Sequence, residues 1–182
     1  MVAVSASAAF VAIAALVWHA PSMSVPLLDR YGSCIFSEQE ARVTRLVMDL
    51  WSPISVIALA LVAAALLIHR RQAQSALLVF AAPIIAVGAS EATKPLVGRF
   101  YAGNASFPSV HAAASCALVV SLAIAASRSS RSSRIWLVPL GALAVGLTIL
   151  LDIQMVRTCA HRPNDVAGGA LLGLTCTGVG VL

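Results

Sequence analysis

The chain has 182 residues, is 60% hydrophobic and only 10% charged, with a mean hydropathy of +0.93. Soluble domains carry about 25% charged residues, so this composition excludes an ordinary water-soluble domain. The net charge of +5 is read as basic membrane loops, not as a nucleic-acid surface, because the chain is so apolar.

Six stretches without Asp, Glu, Lys or Arg follow one another: 2–19, 50–68, 72–90, 107–127, 135–151 and 166–182. A spanning helix needs about 20 apolar residues (range about 17–25). Backbone groups in lipid must pair within the segment, and these runs are continuous, not alternating, so helices are expected and a β-barrel is not. The expected fold is all-α: a polytopic membrane protein with six transmembrane helices in one bundle, forming a single domain over 1–182. The first run lacks a basic leader and a small-residue cleavage site, so it is expected to stay as a helix.

The loop at 20–49 is the longest. Ser37 and Glu40 fit a capping box, and Val43, Leu46, Val47, Leu50 and Trp51 recur at helical spacing. This piece is expected to lie at the interface or to extend the second span outward.

His69-Arg70-Arg71-Gln72 joins spans two and three, and 127–134 joins spans four and five. Together these loops hold five arginines and no acid. The positive-inside rule makes them cytoplasmic. The opposite loops hold seven Lys/Arg, but over longer segments, and Lys94, Arg99, Arg157 and Arg162 cluster near polar motifs. Loops 94–106 and 152–165 are therefore expected to be extracytoplasmic. Of the four cysteines, none shows metal-ligand spacing. Free thiols are expected, and Cys34 with Cys159 is the pair a disulfide would use.

Two groups of polar residues open apolar runs on that extracytoplasmic side. Phe107-Pro108-Ser109-Val110-His111 opens the fourth, and His161-Arg162-Pro163-Asn164-Asp165 precedes the sixth. A helix start exposes backbone N–H groups and partial positive charge, which suits an anion; it also suits a plain cap by Ser106 or Ser109. His161 and Asp165 are four apart, so a helix would place them on one face. Asp165 would then fix one ring nitrogen of His161 and leave the other as a nucleophile. Lys94, Arg99, Arg157 and Arg162 are either phosphate ligands or interfacial cations. Glu91 and Asp152 lie at the same ends and are candidate partners for these cations, or solvated interfacial acids. Gly169 and Gly173 form a small-x-x-x-small step that permits close helix packing.

These motifs resemble those of the type 2 phosphatidic acid phosphatase family of membrane lipid phosphatases. Its pattern is Lys-x6-Arg-Pro, then Pro-Ser-Gly-His, then Ser-Arg-x5-His-x3-Asp. Lys94 matches the first lysine, Pro108-Ser109-Val110-His111 the second motif with Val110 for glycine, and His161-x3-Asp165 the end of the third. Three departures stand out. Arg99 follows Lys94 by five residues, with Tyr101 at the seventh place. Arg157 precedes His161 by four, with Met155 at the sixth. Val110 replaces the glycine.

The resemblance implies a lipid phosphate phosphatase working without metal or cofactor. His161 would be the nucleophile, forming a phosphohistidine. Asp165 would orient it, and His111 would act as general acid. Lys94, Arg99, Ser109, Val110 and Arg157 would bind the phosphoryl oxygens. The expected substrate is a lipid phosphate in the cell membrane, with a polyprenyl carrier first and phosphatidate or phosphatidylglycerol phosphate second. The alternative is a lipid-binding or scaffold protein with a weakened site.

Overall fold

The computed structural model describes residues 7–12, 14–15, 38–101, 104–158 and 160–179. Helical residues at 7–12 and 14–15 fall in the first apolar run. They are followed by α1 (Glu38–Leu50), α2 (Pro53–His69), α3 (Ala73–Val97), α4 (Val110–Arg128), α5 (Arg131–Arg157) and α6 (Pro163–Val179). A two-residue hairpin, β1 (Phe100–Tyr101) with β2 (Asn104–Ala105), bridges α3 and α4. Each apolar run thus holds helix. The chain is an all-α, multi-pass membrane protein. Among the described residues, 42–69, 73–97, 110–128 and 131–157 are long and apolar enough to cross a membrane. The capping box of Ser37 and Glu40 and the Cys34–Cys159 pair fall outside the described residues and side chains. Cys116 and Cys176 are free thiols.

Helix α4 is the centre of the bundle. It packs against α3, α5 and α6 and touches α2. Its inward face is small: Ala112, Ala113, Ala114, Ser115, Ala117, Ser121 and Ala125 are all fully buried. Small faces let helix backbones approach closely where lipid offers no hydrophobic drive between helices. Large apolar side chains point outward instead. Ile54, Leu77, Leu96, Ile135 and Leu143 are each at least 60% exposed, the pattern expected when the surrounding solvent is lipid.

The tightest approach is between α6 and the start of α4. A Cβ on Gly169 would sit 2.4 Å from the Ser109 carbonyl oxygen, and one on Gly173 would sit 2.4 Å from that of Ala113. A Cβ on Gly168 would strike the buried ring of Phe107 at 2.4 Å. The glycines therefore let α6 lie backbone to backbone on the first two turns of α4.

The two acid-free arginine loops meet at one end of the bundle. Arg70 Nη1 donates to Ser132 Oγ at 2.7 Å, Gln72 Nε2 to Ser133 Oγ at 3.1 Å, and Ser129 Oγ to Gln72 Oε1 at 2.6 Å. The motif residues lie at the other ends of the same helices. There α1 extends α2 after a turn at Trp51-Ser52 and leans on α5. Thr44 Oγ1 donates to Gln154 Oε1 at 3.3 Å and Trp51 Nε1 to Thr148 Oγ1 at 3.3 Å.

Gly169→Ala should destabilise the protein by about 1–3 kcal/mol, the usual cost of overpacking. Gly146→Ala in α5, with nothing within 4 Å of its added Cβ, should be neutral or stabilising by up to about 1 kcal/mol. Thermal unfolding of both variants in detergent checks this ordering. Equal stabilities would show that α6 does not ride on α4 as described.

Candidate active site

The site is assembled from three segment ends. Helix α3 stops at Gly98, whose φ of +64° is left-handed and whose N–H returns to the Lys94 carbonyl at 3.0 Å. This cap turns the chain sharply, a conformation glycine adopts without a Cβ penalty. It sends Arg99 into the hairpin, and Ser106 N–H closes back on the Arg99 carbonyl at 3.0 Å.

The chain then enters α4 through Phe107-Pro108. Ser109 is the N-cap: its Oγ accepts from Ala112 N–H at 3.5 Å, and Ala113 N–H reaches its carbonyl at 3.0 Å. Ser109, and not Ser106, therefore caps this helix. Ser90 Oγ donates to the Pro108 carbonyl at 3.1 Å and ties the entry to α3. The N–H groups of Val110 and His111 are first-turn donors with no acceptor inside the helix.

The third segment is the turn from α5 into α6. Ala160 N–H and His161 N–H both donate to the Met155 carbonyl, at 2.9 and 3.1 Å. Pro163 takes the first position of α6, where its missing N–H costs nothing. Asp165, two residues on, reaches back so that Oδ2 accepts from Arg162 N–H at 3.2 Å, half of a capping box.

Asp165 is the hub of the site and is fully buried. Its Oδ2 lies 3.8 Å from His161 Nδ1. That is within ion-pair range and beyond hydrogen-bond length. Its Oδ1 lies 3.5 Å from Nε of Arg99, which is 1% exposed. Its carbonyl accepts from Ser109 N–H at 2.9 Å. One residue thus joins the hairpin, the start of α4 and the His161 turn. No spacing in the sequence announces the Arg99–Asp165 pair. Neutralising a buried carboxylate requires a nearby cation, and Arg99 supplies it.

His111 lies within electrostatic reach of both His161 and Lys94. The structure therefore brings His111, His161, Asp165, Lys94, Arg99 and Ser109 to one end of the bundle. Lys94 Nζ is 2.6 Å from Glu91 Oε1, which makes Glu91 the partner of a site cation. Asp152, half-buried one turn before Met155 in α5, is within electrostatic reach of Cys116, and its Oδ1 has no hydrogen-bond partner among the described residues. Arg157 is exposed in the last turn of α5, and Arg162 is half-buried. Met155 is the residue of that turn that points inward: it is fully buried, with Sδ 4.0 Å from Ser109 Oγ. Among the described residues no three His, Cys, Asp or Glu side chains are placed to hold a metal ion. A cavity of ≈ 440 Å³, lined by Gln74, Leu77, Ile85 and Arg128, lies toward the arginine-loop end, away from these histidines.

Two histidines, a carboxylate and buried or half-buried cations thus gather at one end of a helical membrane bundle. Residues 88–182 match the PAP2 superfamily, and the chain belongs to that family. Its fold is similar to the crystal structure of the first transmembrane PAP2 type phosphatidylglycerolphosphate phosphatase from Bacillus subtilis. The TM-score is 0.76 at 18% identity, over 99% of this chain and 94% of that one. Comparison with curated protein sequences gives no match.

Arg99→Ala should destabilise the protein by about 3–5 kcal/mol, because Asp165 would be left buried without its cation. Arg157→Ala, at an exposed position, should cost less than about 1 kcal/mol. Denaturation of the two variants side by side checks this. A stable Arg99→Ala protein would mean that Asp165 does not depend on Arg99.

Proposed function

We propose that this chain is a membrane lipid phosphate phosphatase. The observation that carries the reading is the convergence of His161, Asp165 and His111 beside Lys94 and Arg99. His161 Nδ1 is buried and turned toward Asp165, so Nε2 is the nitrogen left for chemistry. Its lone pair attacks phosphorus, the bond from phosphorus to the lipid oxygen breaks, and protonated His111 gives its proton to that oxygen. Water then attacks the phosphohistidine with His111 taking the proton. The P–N bond breaks, and phosphate and free His161 result.

Lys94, Arg99, Ser109 and the N–H groups of Val110 and His111 hold the phosphoryl oxygens in this scheme. Fixed positive donors aimed at developing negative charge stabilise the transition state without reorganising. Arg157 is the least supported ligand. It is exposed, whereas buried Met155 faces Ser109.

The favoured substrate is a polyprenyl phosphate or diphosphate. Phosphatidylglycerol phosphate is the second reading, favoured by the name of the structurally similar Bacillus subtilis phosphatase. Phosphate release from purified protein, measured on both lipid classes and on phosphatidate, tests the activity and ranks the substrates. No release from any of them would favour the lipid-binding alternative.

His161→Ala should lower phosphate release by at least about a thousandfold, as loss of a covalent nucleophile does. Substantial turnover in folded His161→Ala protein would remove it as nucleophile. The same reading places the site on the extracytoplasmic face, opposite the arginine loops. Cysteines introduced singly at the exposed positions Ala160 and Ser130, with the native cysteines replaced, report the orientation. An impermeant thiol reagent on intact cells should label position 160 and spare 130; the reverse pattern would invert the topology.

A further inference from the structure

We propose that Ser106 is a further phosphate-binding residue of this site, donating its hydroxyl to a phosphoryl oxygen. The proposal rests on the phosphatase reading above and names one more ligand for the same phosphoryl group. No motif singles out this serine; its placement does.

The hairpin fixes where the side chain goes. Phe100 pairs with Ala105 and Tyr101 with Asn104. The Ser106 N–H to Arg99 carbonyl bond, 3.0 Å long, extends this ladder by one step. Ser106 and Arg99 are therefore opposed across the two strands. Opposed residues project their side chains to the same face, with Cβ atoms about 5 Å apart. The Arg99 side chain runs from this point to Asp165. The Ser106 side chain starts beside it, on the hairpin face from which Arg99 reaches Asp165.

That hydroxyl has no other occupation among the described residues. Ser106 is 3% exposed, and its Oγ is buried with no hydrogen-bond partner there. It does not cap α4, because Ser109 does, and the Ser109 N–H is taken by the Asp165 carbonyl. Buried hydroxyls are nearly always bonded, so an orphan marks a place for a ligand or a water. His111 Nδ1, at the same end of the bundle, is likewise buried without a hydrogen-bond partner among the described residues.

The chemistry fits a phosphoryl group. Lys94 is already paired with Glu91, and Arg99 with Asp165. A neutral hydroxyl donor adds a bond to a phosphoryl oxygen without adding charge beside Arg99.

The test uses the full chain in detergent, with inorganic phosphate as the probe and thermal stabilisation as the readout. Turnover of a lipid phosphate is measured alongside. Ser106→Ala should weaken inorganic phosphate binding about tenfold and lower kcat/KM by a similar factor or more, the worth of a charge-assisted hydrogen bond. Its Tm without phosphate should not fall. Ser106→Thr, which keeps the hydroxyl, should recover most of the binding. Wild-type phosphate affinity in Ser106→Ala, with a lowered Tm, would overturn the proposal and make the hydroxyl a structural one bound to water. Ser106→Cys, of similar size and a poor donor, separates the same two outcomes if the alanine variant fails to fold: lost phosphate binding supports the proposal, wild-type binding overturns it. Wild-type protein that binds phosphate yet cleaves no lipid phosphate would defeat the phosphatase reading alone, and the binding arm would still decide Ser106.

Discussion

The close seat of α6 on the first turns of α4 is the constraint on which the site depends. His111 belongs to α4, and His161 and Asp165 precede or open α6. Only where these two helix starts touch do the three come together. Gly169 and Gly173 permit that contact, because any side chain there would collide with the α4 backbone. The Ser109 N–H to Asp165 carbonyl bond then locks the depth of one helix against the other. In lipid, helix association relies on such packing and on interhelical hydrogen bonds, since burial of apolar surface is no driving force there.

Asp165 carries a second constraint. A fully buried carboxylate at a membrane interface must be compensated. It receives Arg99 on one oxygen and the Arg162 N–H on the other, with His161 Nδ1 nearby. The same residue therefore holds the hairpin in place, starts α6 and faces His161. Charge compensation and the orientation of His161 are one arrangement here. This explains why Arg99 is buried although it lies in a short loop between two spans.

Much of this is legible in sequence. Charge-free runs locate spans because ionised groups are costly in hydrocarbon, and each of the six runs holds helix. The ends are less legible. The third charge-free run stops at residue 90, whereas α3 continues to Val97 and carries Glu91 and Lys94 as an ion pair. The fifth covers 135–151, and α5 runs from Arg131 to Arg157. Long cationic side chains can leave a helix end for the interface, so charge marks the membrane boundary and not the helix boundary. At the site, the spacing of His161 and Asp165 can be read from the motif, which leaves the cap open between Ser106 and Ser109 until the structure gives it to Ser109. The Arg99–Asp165 pair and the placement of Ser106 cannot, because both follow from a hairpin whose register is set by three-dimensional closure. In sequence, Met155 is only the residue standing six before His161. That it turns inward while Arg157 turns outward depends on the last turn of α5.

The central claim is that His161 accepts the phosphoryl group covalently. The direct measurement is acid-free quenching of the purified protein during turnover of a lipid phosphate carrying radiolabelled phosphorus. The denatured protein is then analysed for bound label. The account predicts label that survives base, is released by mild acid, and maps to the peptide containing His161. Rapid turnover with no label retained at any time point, or label on a peptide without His161, would contradict it.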